Sequence, residues 1–287
     1  MGEPVADLEM ATALARGAAR VILDVKAEAR AHSKTKSDQS PVTLADLAAD
    51  RLLRAGLAHT GDVVVTEESW TPATMPRGGR VWVIDPLDGT EDFVAGRPDY
   101  VVQVGLVVDG LPRLGVICQP ETGVVWRGVV GDGRCERLAG DVVQSCSLPL
   151  QGTLVGTPRI AVSVSHPSAL VDFVVKELGA VVVPMGSVGL KIGLLVDGGA
   201  DAYVTGSKRI KVWDTCAPIA ILLAAGGAVS TLEQAEVRYD GDVVHAGGLC
   251  AWGVPARSAL LEPLQEALRC FAGQSQRGDP ARPIKPA

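Results

Sequence analysis

Residues 81–93 read VWVIDPLDGTEDF. Four apolar residues run directly into Asp85, a proline, Asp88 and Gly89-Thr90, with Glu91 and Asp92 close behind. The apolar run predicts a buried strand. Pro86 fixes its own φ and disfavours helix at Asp85, so the chain is expected to turn there. A four-residue turn brings its ends within about 7 Å, which returns Asp88 to the side of Asp85. Two carboxylates held that close repel unless one is protonated or a cation lies between them. Gly89 and Thr90 then offer backbone N–H groups at a loop-to-helix junction, the kind of place where phosphate oxygens bind. An ordinary Asp-rich turn is the plainer reading of the same residues.

Composition narrows the setting. The chain has 287 residues, 47 % hydrophobic and 21 % charged, enough for one large domain or two packed lobes. A net charge of −6 argues against a nucleic-acid polymer as partner, while leaving room for a small anion beside a local cation. No apolar run approaches the roughly 18 residues of a membrane span, and MGEPVADLEM lacks a secretion signal's basic start and apolar core. The cysteines at 118, 135, 146, 216, 250 and 270 form no CxxC pair, so a reducing cytoplasm is the expected location.

Outward from the opening stretch, helical spacing predicts helices over 5–31 and about 43–58, joined by the polar loop SKTKSDQSP. VVVT (63–66) reads as a buried strand, and strands with tight turns follow from Tyr100, including a hairpin at Asp109-Gly110. Beyond Leu154, strands and helices alternate and end in the helix CAPIAILLAAGG and terminal strands. The class is therefore α/β, or α+β in layers. The expected division is an N-terminal lobe (1–150) with most of the acids, a C-terminal lobe (151–272) with Asp214, and a loose tail (273–287).

Other acids stand at element ends. Glu67-Glu68 closes VVVT, either as a solvated strand end or as a pair opening beside Asp85. Asp214, in KVWDTCAPIAILLAAGG, reads as a helix N-cap with Pro218 in the first turn, a role compatible with ligation. Thr43 and Asp46 have capping-box spacing; the alternative makes Asp46 a base that orients a water. Together these acids suit hard, oxygen-preferring Mg²⁺ ions, and a bridged pair of such ions is a known solution to phosphoester cleavage.

The ordered set resembles the inositol monophosphatase-like superfamily of Mg²⁺-dependent, often lithium-inhibited phosphatases, over about Leu8 to Gly253. DPLDGTEDF matches the family's DP(I/L)DGTxxF, and WDxxAPxxILxxAGG follows downstream. The resemblance implies a five-layer α-β-α-β-α sandwich, two or three Mg²⁺ ions and, commonly, a homodimer. It implies that Glu67, Asp85 and the Leu87 carbonyl hold the first ion, and that Asp85, Asp88 and Asp214 hold the second. Glu68 would stand behind them or bind weakly, Thr90 and Asp46 would align and deprotonate water, and the N–H groups of Gly89 and Thr90 would grip phosphate.

GSVGLKIGLLVDGGADAYVTGSKRIKVWDTCAPIAIL is most similar to the 3′(2′),5′-bisphosphate nucleotidase branch. That branch implies a substrate side formed by Ser163, Ser165, His166, Gly186, Ser187 and Lys191, with Asp214 facing the same pocket. His166 is either a base- or phosphate-binding side chain or a polar helix start, and Lys191 either neutralises a second phosphate or snorkels. Val164 stands where the branch often has arginine, which implies a weaker grip on the second phosphate, compensation from Lys208, Arg209 or Lys211, or a different substrate. Inositol monophosphate and then fructose 1,6-bisphosphate are the alternative substrates, and a non-catalytic nucleotide or metal sensor is the alternative class.

Overall fold

The computed structural model describes residues 3–31, 41–148 and 154–276. The expected loop at 33–40, the lobe boundary at 150–151 and residues 277–287 lie outside them. Helix α1 (Glu3–Ala31) buries Leu8, Ala11, Ala15, Ala18 and Ile22, a stripe at three- and four-residue spacing. Helix α2 (Pro41–Leu57) meets it with Ala45, Ala49, Leu53 and Leu57. Because α2 begins at Pro41, Thr43 lies inside the helix, and the expected capping box does not mark its start.

A single 3₁₀ turn (Ala58–Thr60) leads to β1 (Val63–Thr66), β2 (Arg80–Asp88) and the short helix α3 (Thr90–Val94). Then come β3 (Val101–Val108), β4 (Leu111–Cys118), β5 (Val125–Val129), β6 (Arg134–Ala139) and β7 (Val142–Ser145). These strands make one seven-stranded sheet in sequence order, with β1 parallel to β2 and the rest antiparallel. Asp109 and Gly110 join β3 to β4 with φ of 51° and 79°, the two-residue turn expected of an Asp-Gly pair. Alternation assigns the faces: Trp82 and Ile84 pack toward α1 and α2, while Val81 and Val83 pack the other way.

The second half runs β8 (Arg159–Ser163), α4 (Ala169–Glu177), β9 (Val181–Met185), α5 (Val188–Val196) and β10 (Ala202–Thr205). It continues through α6 (Val212–Ala224), β11 (Ala228–Ser230), β12 (Leu249–Trp252) and α7 (Val254–Gln276). Its five strands lie in the order β11-β12-β10-β8-β9. Helices α5 and α6 fill the space between the two sheets, touching Ile117 and Trp126 on one side and Ala161, Tyr203 and Ala251 on the other. Helices α4 and α7 cover the outer face through Val174, Leu260 and Leu264. The result is the expected α-β-α-β-α layering.

Helix α7 departs from the expected ending in strands and a tail from Gly273. It buries Ala256, Leu260, Leu264 and Ala267, a stripe obscured in the sequence by Pro263 and by charged neighbours. Among the described residues no helix is long and apolar enough to cross a membrane.

Helix α6 sits unusually close to the first sheet. Gly105, Gly115 and Gly128 are register partners across β3, β4 and β5, a row without side chains beneath the helix. A Cβ at Gly115 would stand 2.1 Å from the Ala217 carbonyl oxygen, and one at Gly105 would stand 2.5 Å from Cys216 Sγ. Backbone cannot yield as a flexible side chain can, so Gly115→Ala is expected to destabilise the protein by about 1–3 kcal/mol. Urea unfolding measures this, with Gly241→Ala, whose Cβ would meet nothing within 4 Å, as the neutral control.

Candidate active site

The acids come together through pairing, a bulge and a helix start. Thr66 and Ile84 are partners in the parallel β1–β2 ladder, and the Glu67 N–H donates to the Ile84 carbonyl at 3.3 Å. Glu67 therefore leaves β1 beside Asp85. The turn expected after Asp85 is instead a β-bulge, for β2 continues to Asp88. Asp85 pairs with Gln103 and Asp88 with Val101, so three steps on β2 face two on β3. In a regular strand, residues three apart point to opposite faces. The extra residue restores Asp88 to the side of Asp85, and Pro86 occupies the irregularity, where a missing N–H is tolerated.

Local bonds hold this segment. The Leu87 N–H donates to Asp85 Oδ1 at 3.0 Å, and Thr90 Oγ1 donates to the Leu87 carbonyl at 3.2 Å. Gly89 precedes α3 with a φ of 100°, and a Cβ there would stand 2.6 Å from the Asp99 carbonyl oxygen. Glycine is required on both counts.

Asp214 arrives from α6 in a different manner from that expected. Lys211 occupies the N-cap position, and Asp214, three residues on, accepts the Lys211 N–H at 2.8 Å. Pro218 is consequently the seventh residue of the helix, in its second turn and not its first. Carboxylate oxygens of Glu67, Asp85 and Asp214 lie within 4.8 Å of one another. Asp88 borders the group, with Oδ2 accepting from Gln103 Nε2 (2.6 Å), Ser187 Oγ (2.7 Å) and the Gly189 N–H (3.1 Å).

Burial and mutual repulsion act on these groups in the same direction. Burial first, then Glu67, Asp88 and Asp214, holds the Asp85 carboxyl well above the usual range. Burial and Asp88 push Asp214 up to about 8. Glu67 and Glu68 are also raised, each chiefly by burial. Lys211 Nζ, 3.7 Å from Glu67 Oε1, partly offsets this. Asp46, on α2, is buried and pushed up to about 8 by burial and then by Glu68 and Glu67.

The substrate-side residues separate into two groups. The His166 N–H donates to Ser163 Oγ at 3.2 Å, and its exposed ring stands 3.6 Å from Glu91, next to Thr90. Ser165 Oγ is buried without a partner among the described residues. Gly186, Ser187 and Lys191, by contrast, are all buried. Lys191 does not snorkel: its buried Nζ donates to the carbonyls of Gly186 (2.7 Å) and Ser187 (3.0 Å). Two further groups escaped the reading of the sequence. Gln103, fully buried, is a lone amide in the apolar run VVQVGLVV, which was its signal. Asp50, one helical turn beyond Asp46, accepts from Thr66 Oγ1 at 2.6 Å and braces the end of β1.

Asp46 and Asp214 titrate near 8 in the fold and near the usual carboxyl value when unfolded, so the folded chain binds more protons across that interval. Their contribution to stability is complete below the usual value and is lost as pH rises through about 8. The melting temperature of the metal-free protein is expected to fall between about pH 5 and about pH 9. Asp46→Asn should flatten that slope, and a divalent cation should restore the alkaline loss. Thermal melts with chelator and with Mg²⁺ check all three.

The inositol monophosphatase family profile matches residues 4–268. A 3′-phosphoadenosine 5′-phosphate phosphatase of Mycobacterium leprae is 32 % identical over 82 % of this chain and 84 % of its own length. A 3′(2′),5′-bisphosphate nucleotidase CysQ of Salmonella typhimurium is 32 % identical over 81 % and 93 %. The crystal structure of CysQ from Bacteroides thetaiotaomicron superposes with a TM-score of 0.73 at 24 % identity, covering 87 % of this chain and 97 % of that one. By sequence and by fold, the chain belongs to the inositol monophosphatase family of phosphatases.

Proposed function

We propose that the chain is a Mg²⁺-dependent 3′(2′),5′-bisphosphate nucleotidase that releases the 3′-phosphate of adenosine 3′,5′-bisphosphate. The observation that carries this reading is the meeting of Glu67, Asp85 and Asp214 oxygens within 4.8 Å. Three carboxylates so close, two of them largely buried and all raised, fit hard divalent cations in donor type and charge. Glu67, Asp85, Leu87 through its carbonyl, Asp88 and Asp214 are the ligands in this reading, for two or three ions. Bound there, Mg²⁺ would supply Lewis acidity, easing deprotonation of water and neutralising charge on the leaving oxygen.

The chain's own groups do the rest. Asp46, buried and proton-avid, takes a proton from the attacking water, with Glu68 behind it sustaining that avidity. The Thr90 hydroxyl donates to Leu87, so its lone pairs remain to orient the same water. The N–H groups of Gly89 and Thr90, at the start of α3, hold phosphate oxygens. Ser163, Ser165 and His166, across from Glu91, form the side toward the nucleotide. The names of the Mycobacterium leprae and Salmonella typhimurium relatives support the choice of substrate. Inositol monophosphate, then fructose 1,6-bisphosphate, are the alternatives. A non-catalytic sensor is disfavoured by the intact acid set and the intact Asp46–Thr90 pair.

Phosphate release from the three substrates, with and without chelator, tests the reading. Adenosine 3′,5′-bisphosphate should be preferred, with turnover lost on chelation and lowered by lithium. Asp88→Asn should abolish turnover with an unchanged circular-dichroism spectrum. Full activity in that variant, or no release from any of the three substrates, would refute it.

A further inference from the structure

Ser187 departs from the substrate-side role that the resemblance suggests. It is 7 % exposed, and its single hydroxyl proton is committed to Asp88 Oδ2 at 2.7 Å, while its oxygen accepts the Leu190 N–H at 3.2 Å. Asp88 Oδ2 also receives Gln103 Nε2 and the Gly189 N–H. Three donors, from β3 of the first sheet and the start of α5, thus saturate one carboxylate oxygen. Among the described residues no donor reaches Oδ1.

The backbone is constrained to make this possible. Ser187 has φ 28° and ψ 141°, a conformation that L-residues avoid. Such strain persists only where the surroundings over-determine it. Here Lys191 Nζ binds the carbonyls of both Gly186 and Ser187. Gly186 lies so close to Asp99 and Asp92 that a Cβ would stand 2.5 Å from Asp99 Cβ and 2.6 Å from Asp92 Oδ2. The buried lysine and the crowded glycine together hold the serine against the acid.

We infer that Ser187, with Gln103, is a positioning residue for Asp88: it locks the carboxylate plane across the two halves of the fold and reserves Oδ1 for a divalent cation. The inference rests on the cation-binding role of Asp88 proposed above. Groups that orient a ligand from behind typically control affinity by 10–100-fold.

Calorimetric titration of metal-free protein with Mn²⁺ and with Mg²⁺ provides the main test, with steady-state kinetics at saturating cation beside it. Ser187→Ala should weaken cation affinity about tenfold, with KM for substrate unchanged at saturating cation. Ser187→Gly removes the hydroxyl while relieving the backbone strain, so it should fold readily and show the same loss. Gln103→Leu should act in the same direction. In an Asp88→Asn background, Ser187→Ala should add nothing, an outcome that a merely structural serine would not give. Wild-type cation affinity in Ser187→Gly overturns the inference. A raised KM with unchanged cation affinity overturns it in favour of substrate contact. If the wild-type protein binds neither cation, the functional reading itself fails, and this inference with it.

Discussion

The close seat of α6 on the first sheet is the constraint from which the rest of the molecule follows. A row of three glycines on adjacent strands lets the helix backbone approach where any side chain would collide. That approach lays the start of α6 beside the ends of β1 and β2, and so delivers Asp214 to Glu67 and Asp85. Asp214 spends one oxygen on the Lys211 N–H, which fixes its rotamer at the helix start. A helix one side chain further from the sheet would leave the third acid out of reach.

This convergence is costly in itself. Carboxyls drawn out of water beside one another favour their neutral forms, and burial outranks every pairwise repulsion as the cause. Lys211 offsets only part of the excess, through a half-exposed contact with Glu67 that solvent screens. The fold thus stores an unmet demand for positive charge at one place, and its packing energy holds that demand in position. Lys191 relieves no part of it by direct contact, because its ammonium group is turned to backbone carbonyls.

The two halves are bound together at the same place. Helices α5 and α6 belong to the second half in sequence, yet both form the layer that covers the first sheet. The Asp88 carboxylate is held by donors from both halves. Strain at Ser187 and close contact at Gly186 lie at this junction, as expected where geometry serves a site more than the local backbone.

Most of the elements were legible from local pattern, since period and turn chemistry act over a few residues. The α1 stripe, the Asp109-Gly110 hairpin and the acid-bearing motif at 81–93 could all be read in this way. Local reasoning failed where a distant partner decides the geometry. The Asp85–Asp88 turn became a bulge because β3 continues alongside and rewards further pairing. Lys191 went inward because strained carbonyls and an acidic surround await it, which no neighbouring residue announces. The amino-acid order alone determined which acids exist and which strand or helix carries or precedes each. Only the tertiary structure decided that Glu67, Asp85 and Asp214 meet, because residues more than a hundred positions apart come together through packing and not through propensity.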